Sequence, residues 1–351
     1  MAGEGSAWLA GLEERAAAVL APEVRDYVAL GSGRMVTLRE AEAAWRIPRL
    51  APHVLRDTTT VDLSVDLLGT RAAVPWHVAP ISLLRAVHPD GDLAVARATA
   101  AAGAVMTVSS NTGTGFAQIG ATGVRWWLQV YLPADRTLAG PLLDRAVEAG
   151  AEAVVLTVDT PVVASRESGG PTVWDVVDPA LVGVNFDPGY DTRTAAAKAL
   201  DLGPHDLDWL AARTGLPVVV KGVLRPDDAR RCVQAGAAAV WVSNHGGRQL
   251  DRAVATASCL PAVVDAVAGD AQVYVDGGLR RGLDVLTALA LGADAVFLGR
   301  PVPWALAEGE PGVSRLHAEL RTELTEALRL AGCRGVADTR GLIAPVPPTP
   351  R

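Results

Sequence analysis

The sequence predicts an α/β fold, a single (β/α)8 TIM barrel with an N-terminal helical extension, and two patterns support that prediction. The first is a recurring Ala-Gly-Ala segment, or a close variant, that separates a helix-like stretch from a short apolar run; it occurs within 101–110, 148–159, 234–244 and 290–300. A glycine of this kind ends a helix, and the apolar run after it is typical of a strand buried on both faces. The second pattern is the number of apolar runs, which reaches eight.

The eight runs are predicted as strands over 74–79, 105–108, 127–131, 154–158, 218–220, 240–242, 273–275 and 296–298. Strands that alternate with helices pair in parallel through right-handed crossovers. Eight units of even length close into a barrel, whereas the alternative, a doubly wound open sheet, rarely needs so many. We expect residues 1–70 to form a helical arm and a short hairpin of the same domain, and residues 71–345 to form the barrel.

Length, charge and cysteine spacing narrow the classes of function. A chain of 351 residues is long enough for one barrel with additions, since single barrels commonly reach about 250 residues or more. A net charge of -7 without a basic run argues against a nucleic-acid partner. No apolar run approaches the roughly 18 residues that a membrane span needs, and the N-terminus does not resemble a secretory signal. We therefore expect a cytoplasmic protein without a membrane anchor or a metal site, in which the three cysteines are reduced thiols: Cys232, Cys259 and Cys333.

Polar side chains follow the predicted strands at the end where barrel enzymes have their active sites. The third to eighth strands end in, or are followed by, Gln129, Tyr131, Thr157, Asp159, Lys221, Ser243, Asn244, His245, Arg248, Asp276, Arg280 and Arg300. A turn requires no more than glycine at these places, and an isolated buried charge is costly. Any one of these residues alone could be structural, but together they predict a catalytic site in the barrel mouth.

One of these segments, VSNHGGRQLD at 242–251, places a titratable base and a fixed cation three residues apart. Histidine titrates near neutrality and suits general base chemistry, while the planar guanidinium of arginine suits a carboxylate. A turn alone would explain His-Gly-Gly. The pair His245 and Arg248 instead predicts a site that binds and deprotonates one small anion.

The loops after the seventh and eighth strands, VDGGLRRG and FLGRP, predict a separate anion site. Glycine leaves backbone N–H groups accessible, and Arg280 and Arg300 add fixed positive charge. Barrels commonly hold a phosphate here, so the loops predict a phosphorylated cofactor. No G-x-G-x-x-G fingerprint follows a strand, which argues against a dinucleotide.

From about residue 22 to residue 333 the chain resembles the FMN-dependent α-hydroxy acid oxidases and dehydrogenases, the family of glycolate oxidase, lactate oxidase and mandelate dehydrogenase. The resemblance rests on VKGV, SNHGGRQLD, VDGGLRRG and ALGADAVFLGRPVPWALA, in this order and spacing. It implies an oxidoreductase with an FMN cofactor that converts an L-2-hydroxy acid to the 2-oxo acid, with oxygen or another acceptor reoxidising the flavin. It also implies a homotetramer or another homo-oligomer.

The resemblance also implies a role for each matching residue. His245 would be the catalytic base, Asp159 would hold its ring, and Tyr131 would assist at the substrate hydroxyl. The residues that would bind the substrate are Tyr27, Tyr131, Arg166 and Arg248. Lys221 would lie beside the flavin ring, and the rest of the cofactor site would consist of Pro80, Ile81, Ser82, Ser109, Gln129, Thr157, Ser243, Asp276, Gly277, Gly278, Arg280, Gly299 and Arg300.

Four departures from the family pattern concern the substrate pocket. The turn after the first strand is Pro80-Ile81-Ser82 in place of Pro-Thr-Ala or Pro-Met-Gly, and Asn111 replaces an aromatic residue. Tyr27-Val28 replaces a pair of tyrosines. The segment between the fourth and fifth strands is short and lacks the basic-hydrophobic insert of membrane-bound members.

Two of these departures, Asn111 and the short segment, predict a wide pocket that accepts large or aryl, mandelate-like hydroxy acids in preference to glycolate or lactate. The segment 167–216 should form a short lid, and three tryptophans are candidates for an apolar wall: Trp126, Trp127 and Trp174. For Trp126 the alternative is that its ring faces the helices. The alternative is that a short lid leaves the site wet and that the substrate is a small metabolite or a carrier-linked acid.

Two other functions stay open at this point. One is that of a related FMN barrel with a non-oxidative reaction, such as a flavin-type isopentenyl diphosphate isomerase, although that reaction has no use for a carboxylate clamp and a base. The other is a flavin-binding barrel without catalysis, although every expected catalytic position holds a working residue. Anaerobic addition of 2-hydroxy acids separates the three, because only an oxidising enzyme bleaches its flavin.

Overall fold

In the computed structural model, which describes residues 4–166, 172–187 and 198–345, four short helices open the chain. They are α1 (Glu4–Ala10), α2 (Leu12–Val19), α3 (Pro22–Ala29) and α4 (Val36–Ala44). Their buried residues, among them Trp8, Leu12 and Val28, belong to the same apolar cluster as the barrel helices. An antiparallel hairpin follows, formed by β1 (Val65–Leu67) and β2 (Thr70–Ala72).

Eight parallel strands then close into a barrel in which the last strand pairs with the first. They are β3 (Trp76–Val78), β4 (Val105–Ser109), β5 (Arg125–Val130), β6 (Val154–Thr157), β7 (Val218–Val223), β8 (Ala239–Val242), β9 (Gln272–Val275) and β10 (Ala295–Leu298). The predicted TIM barrel is confirmed, and closure excludes the open sheet. The largest boundary difference is in β7, which continues to Val223 because Gly222, at a φ of 112°, shifts the register after Lys221.

Helices on the outside of the barrel connect the strands and complete the chain. They are α5 (Leu84–Val87), α6 (Gly91–Ala102), α7 (Phe116–Gly120), α8 (Gly140–Glu148), α9 (Val173–Val176), α10 (Pro204–Thr214), α11 (Pro226–Gln234), α12 (Thr256–Val267), α13 (Gly282–Ala290), α14 (Pro301–Leu306) and α15 (Gly309–Leu330). Gly103, in the left-handed region at a φ of 69°, ends α6 and turns the chain into β4, as the repeat predicts. Within the described ranges, no helix is both long and apolar enough to span a membrane.

The inward-facing positions of the strands change from apolar to polar along the barrel axis. The lower layer of the interior consists of aromatic rings whose centroids lie 3.8–6.4 Å apart, those of Trp127, Trp241, Tyr274 and Phe297. Side chains two residues apart on a strand share a face. Two residues further along the same strands, the inward positions are therefore polar or glycine: Gln129, Ser243, Asp276 and Gly299.

The expectation that Trp126 and Trp127 form a wall of the substrate pocket is wrong. Neighbouring residues of a strand point to opposite faces, so Trp126 faces the helices, where its ring lies 5.4 Å from that of Phe116. Trp127 points inward but belongs to the lower layer, with its ring 5.7 Å from that of Tyr274. Trp174, on α9, does line the barrel mouth. The described parts of the expected lid are 172–187 and 198–216.

The N-terminal segment covers both ends of the barrel. At the bottom, Leu67 joins the aromatic layer, and the backbone N–H of Leu68 donates to Oε1 of Gln272 at 2.9 Å, where β9 begins. At the mouth, Gly278 lies so close to α4 that a Cβ atom there would come within 2.3 Å of the carbonyl oxygen of Ala41. The helical arm therefore forms part of the mouth, and glycine is required where the two meet.

Candidate active site

A cavity of about 490 Å³ opens at the C-terminal ends of the strands. Its lining contains most of the residues that the sequence predicts for the site: Tyr27, Pro80, Ile81, Ser82, Ser109, Gln129, Tyr131, Thr157, Arg166, Lys221, His245, Arg248, Asp276, Gly277, Gly278, Arg280, Gly299 and Arg300. The other two, Asp159 and Ser243, lie directly behind the lining, where they contact His245 and Lys221. The structure thus brings all the predicted residues together around one cavity.

His245 and Asp159 form a hydrogen-bonded pair within this group. His245 Nδ1 lies 2.9 Å from Asp159 Oδ1 and 3.3 Å from the Thr160 hydroxyl. Burial alone would raise the pKa of Asp159, but His245 and then Lys221 lower this pKa to about 2. The carboxylate is therefore ionised and favours a proton on Nδ1, which leaves Nε2 as the basic nitrogen, 3.5 Å from the Tyr131 hydroxyl.

A run of left-handed backbone presents the imidazole to the cavity. His245, Gly246 and Gly247 have φ values of 56°, 62° and 74°. A Cβ atom would come within 2.7 Å of Arg300 Nη1 at Gly246 and within 2.8 Å of the Leu38 nitrogen at Gly247, so both positions require glycine. His245 alone in the run carries a side chain at a positive φ, and such strained residues are often found at active sites.

Two arginines face the ring of Tyr27 and reach the same cavity as the base. The guanidinium carbon lies 4.7 Å from the ring centre for Arg248 and 6.0 Å for Arg166. Arg248 also donates a hydrogen bond to the carbonyl oxygen of Tyr27, which orients its guanidinium. Burial and then the charge of Arg248 lower the pKa of Arg166. Neither guanidinium has a carboxylate partner among the residues that the structure describes, so both suit an anionic ligand.

Another wall of the cavity is built from strand residues that hydrogen-bond one another. Gln129 Nε2 donates to Thr157 Oγ1 at 3.0 Å. Lys221, 3% exposed, donates from Nζ to Ser243 Oγ at 3.0 Å and lies 3.3 Å from Asp276 Oδ2. The ammonium is thus paired and held at the base of the cavity, where it can stabilise negative charge on a bound ring.

The turn after β3 meets the end of β4 at two of the four places where the chain departs from the family pattern. The hydroxyl groups of Ser82 and Ser109 lie 2.9 Å apart. The backbone N–H of Asn111 donates to Ser109 Oγ at 3.2 Å. Pro80 and Ile81 line the cavity beside them. Both departures therefore contact the same serine.

Arg300 is a half-buried cation with no carboxylate partner in the described part of the chain. Its guanidinium donates to the carbonyl oxygens of Gly246 at 2.8 Å, Val28 at 3.0 Å and Leu30 at 3.3 Å. Burial and then the nearby Arg248 lower its pKa to about 9. Burying a charge without an opposite charge nearby is costly, so this position calls for an anionic ligand.

Arg280 and a pair of glycines complete this anion site. Arg280 pairs with Glu42 at 2.9 Å and stacks on Trp304, with its guanidinium carbon 5.0 Å from the ring centre. Gly277 and Gly278 have φ values of 93° and 81°, which few other residues adopt. Buried guanidinium groups beside an open glycine backbone suit a phosphate, so the residues fit the phosphorylated cofactor that the sequence predicts.

Thr160 and Lys198 belong to the cavity although the sequence did not single them out. The Thr160 hydroxyl donates to Asp159 Oδ1 at 3.2 Å and also faces His245. Lys198 Nζ lies 4.1 Å from the ring centre of Tyr131. A signal existed for each: Thr160 directly follows the predicted aspartate, and lysine is rare in this chain.

Comparisons with known proteins agree with this geometry. A model of the FMN-dependent dehydrogenase family matches residues 16–344. The chain is 42% identical over 346 residues to 4-hydroxymandelate oxidase of Amycolatopsis orientalis, which covers 95% of this chain and 97% of that protein. It is 41% identical over 330 residues to glycolate oxidase 1 of Oryza sativa subsp. indica, and this match covers 90% of this chain and 89% of that protein. A solved structure of mandelate oxidase with (S)-4-hydroxymandelic acid superposes on this chain with a TM-score of 0.88 at 41% identity. The superposition covers 95% of this chain and 97% of that one.

The family match spans nearly all of the barrel and most of the helical arm. The guanidinium of Arg300, which has no carboxylate partner among the described residues, and the ammonium of Lys221 provide the positive charge that a flavin mononucleotide requires. The family and the cofactor that the sequence predicts are confirmed. This chain belongs to the FMN-dependent dehydrogenase family, and its cofactor is FMN.

Proposed function

We propose that this protein oxidises an L-2-hydroxy acid with a large or aryl side chain to the 2-oxo acid. The observation that best supports the proposal is the placement of His245 Nε2 beside the Tyr131 hydroxyl, in one cavity with two arginines that lack carboxylate partners among the described residues. A base and two planar cations together suit a substrate that has a hydroxyl next to a carboxylate. When bound, FMN would accept the two electrons that the oxidation of the hydroxy acid releases.

Arg248 and Arg166 bind the substrate carboxylate in this proposal. Their guanidinium groups lie near the same ring, that of Tyr27, so one carboxylate can contact both. A guanidinium donates two parallel hydrogen bonds to a carboxylate, which fixes the orientation of the substrate as well as its position. The phenol of Tyr27 lies beside this clamp and is available as a further donor.

His245 removes the proton of the substrate hydroxyl through Nε2. Asp159, ionised and fixed at Nδ1, stabilises the imidazolium that results. Burial and then the Asp159 carboxylate raise the pKa of Tyr131, so its phenol stays protonated and donates to the substrate oxygen. Thr160 donates to the same carboxylate and limits its rotation.

The side chains that hold FMN follow from the two positive regions of the cavity. Lys221 is the cation on the ring side, held by Ser243 and Asp276. Arg280 and Arg300 are the cations on the phosphate side. The other residues proposed to contact the cofactor are Pro80, Ile81, Ser82, Ser109, Gln129, Thr157, Gly277, Gly278 and Gly299.

The size of the substrate side chain is proposed from the outer part of the cavity. Trp174 packs edge-on against Tyr27, with 6.0 Å between ring centres, and lines the cavity with Val177 and Val182. Asn111, where the family has an aromatic residue, leaves room beside this apolar surface. The relatives named for mandelate and 4-hydroxymandelate support an aryl substrate further.

Stopped-flow reduction of the bound flavin by glycolate, lactate, 2-hydroxyoctanoate and (S)-mandelate tests this proposal. We expect mandelate or 2-hydroxyoctanoate to give the highest ratio of reduction rate to Kd. Preference should be graded, because a methylene group adds only about 1–3 kcal/mol of discrimination. Glycolate in first place would contradict the large-pocket proposal but leave the oxidation itself intact.

Oxygen is the electron acceptor we propose, because the named relatives at about 40% identity are oxidases. Hydrogen peroxide released in air in the same amount as the 2-oxo acid would support oxygen as the acceptor, and the absence of hydrogen peroxide would indicate another acceptor.

A cytoplasmic location and a homo-oligomeric assembly stay predictions. The isomerase alternative predicts that no 2-hydroxy acid reduces the flavin, so reduction by any of these acids excludes it.

A further inference from the structure

The cavity lining holds more cations than the nearby carboxylates neutralise. Lys221 pairs with Asp276, and Arg280 pairs with Glu42. Four lining cations have no carboxylate within ion-pair distance among the described residues: Arg166, Lys198, Arg248 and Arg300. Under the proposed function, Arg300 binds the FMN phosphate and the Arg166–Arg248 pair binds the substrate carboxylate. Of these four cations, Lys198 alone then has no assigned anion among the ligands and the described residues.

The position of Lys198 is well defined. A backbone bridge to Pro133 holds it beside the end of β5. Its Nζ lies 4.1 Å from the ring centre of Tyr131, whose hydroxyl lies 3.5 Å from His245 Nε2. The arginine pair packs instead on the ring of Tyr27. Lys198 is therefore a cation of the substrate cavity that packs on the ring of Tyr131, whereas the two arginines that bind the carboxylate pack on the ring of Tyr27.

Lysine is rare in this chain, which gives the position of Lys198 more weight. Lys198 and Lys221 are the only lysines in the sequence, and every other basic residue is an arginine. Both line the cavity. A lysine ammonium is a compact point charge on a flexible stem, whereas a guanidinium is a wide planar fork. The chain thus has its two compact cations inside the cavity and uses arginine for basic charge elsewhere.

The cation–π contact with the ring of Tyr131 gives the Lys198 charge a structural use but supplies no negative charge to balance it. Burial lowers the pKa of Lys198 to about 8, although Asp159 acts in the opposite direction, so the ammonium is held there at a cost. Asp159 acts on the ammonium only at longer range, because the two groups form no ion pair and the Asp159 carboxylate pairs instead with His245, at 2.9 Å. A methionine or leucine would cover the ring of Tyr131 without this cost.

We propose that Lys198 is a specificity-determining residue that binds a second anionic group, on the side chain of the substrate. This inference rests on the proposed function. Once the first carboxylate lies on the arginine clamp and the hydroxyl lies at His245, the side chain is the part of the substrate left to reach Lys198. The substrate class is then a 2-hydroxy acid that carries a second carboxylate, either on an aliphatic chain or on an aryl ring.

Two matched pairs of (S)-acids test the proposal with the holoenzyme. The pairs are 2-hydroxyglutarate with 2-hydroxyhexanoate, and 4-carboxymandelate with 4-methylmandelate. In at least one pair, the anionic member should have a ratio of flavin reduction rate to Kd that is at least about ten times that of the neutral member. A charge-assisted hydrogen bond is strong enough to give a difference of this size. Lys198→Met should remove most of this advantage, and Lys198→Arg should keep part of it.

A matched control removes the same unit of charge outside the cavity. Arg230 lies exposed on α11, so Arg230→Met should leave the advantage of the anionic acid as it is in the wild type. The proposal is overturned if the neutral member is as good or better in both pairs. It is also overturned if Lys198→Met lowers the values for both members of a pair by the same factor, because a structural role would have that effect.

A binding experiment gives a readout that does not depend on turnover. The 2-oxo acids 2-oxoglutarate and 2-oxohexanoate should perturb the flavin absorption band on binding, and their Kd values follow from the titration. Lys198→Met should weaken 2-oxoglutarate about tenfold more than 2-oxohexanoate. If neutral acids reduce the flavin but no test depends on Lys198, this inference fails and the proposed function stands. If no 2-hydroxy acid of either pair or of the first panel reduces the flavin, both fail.

Discussion

The same strands build two layers of the barrel interior. The side chains of one layer pack on one another, whereas several side chains of the other layer carry a charge that no neighbouring carboxylate balances in the described part of the chain. The lower layer consists of the rings of Trp127, Trp241, Tyr274 and Phe297, each at most 1% exposed and packed on one another. The upper layer is the cavity lining, in which several cations lack a carboxylate partner among the described residues. The lower layer therefore stabilises the fold by itself, whereas the upper layer is complete only when anionic ligands are bound.

The change from one layer to the other takes two residues. On β8, Trp241 belongs to the lower layer and Ser243 supports the cavity; on β9, Tyr274 and Asp276 repeat the pattern. Substitutions in adjacent inward positions should therefore affect different properties: stability below and chemistry above. The predictions that follow test this separation.

His245→Asn should have the largest effect, and it concerns the upper layer. Asparagine preserves hydrogen bonding but is not a base, so the rate of flavin reduction should fall by about 10²–10⁴-fold. FMN content and the midpoint of thermal unfolding should stay close to those of the wild type. Stopped-flow absorbance of the bound flavin measures the rate. A loss smaller than tenfold would mean that another group is the base.

Trp127→Ala should have its main effect on stability. Removing a fully buried ring leaves a cavity in the lower layer, so the free energy of unfolding should fall by about 3–5 kcal/mol. Urea denaturation of the holoenzyme measures the change. The flavin of the folded fraction should still be reduced within about tenfold of the wild-type rate, because no predicted site residue is lost. An equally large fall in both quantities would show that the layers are not separable.

Arg248→Lys should weaken substrate binding without removing the base. An ammonium cannot reproduce the two parallel hydrogen bonds of a guanidinium, so the Kd of the substrate should rise about 10- to 100-fold. Arg252→Lys, an exposed position four residues further along, is the matched control and should have no such effect. An unchanged Kd in Arg248→Lys would place the carboxylate elsewhere.

Asp159→Asn should have a smaller effect on stability than Trp127→Ala, one that depends on pH and is separate from the loss of activity that follows from its contact with His245. The Asp159 carboxyl has a folded-state pKa of about 2, below its ordinary value of 3.8. A lowered folded-state pKa contributes stability that is present above the unfolded-state value and is lost as the pH falls through the folded-state value. The wild type should thus exceed the variant by up to about 2 kcal/mol near pH 7, and by less as the pH falls from about 4 toward 2. Urea denaturation at several pH values measures this difference, and a difference independent of pH would contradict it.

Much of this architecture was predictable because each strand is a short apolar run after a helix-ending glycine. Such runs locate strands without knowledge of tertiary contacts, and the parallel arrangement brings all their C-terminal ends to one mouth. Residues near the C-terminal end of a predicted strand, such as Lys221 and His245, could therefore be assigned to one site. The parallel pairing of β9 with β10 then brings the glycine and arginine loops together.

Other features depend on information that the local pattern lacks. Nothing in the sequence near Trp126 and Trp127 shows which of two adjacent tryptophans faces inward, because both are large and apolar. Lys198 reaches the cavity from a loop far from Tyr131 in sequence, so its role follows from tertiary contact alone. The pairing of Arg280 with Glu42 of the helical arm is of the same kind.

Anaerobic mixing of the FMN-loaded enzyme with the (S)- and (R)-forms of mandelate tests the central claim most directly. The claim is that the charges of the mouth bind a 2-hydroxy acid so that His245 can deprotonate it. The visible absorption band of the flavin should bleach with the (S)-acid, the 2-oxo acid should form in equal amount, and the (R)-acid should leave the band unchanged. Unbleached flavin with (S)-mandelate, and then with glycolate, lactate and 2-hydroxyoctanoate as well, would contradict the account.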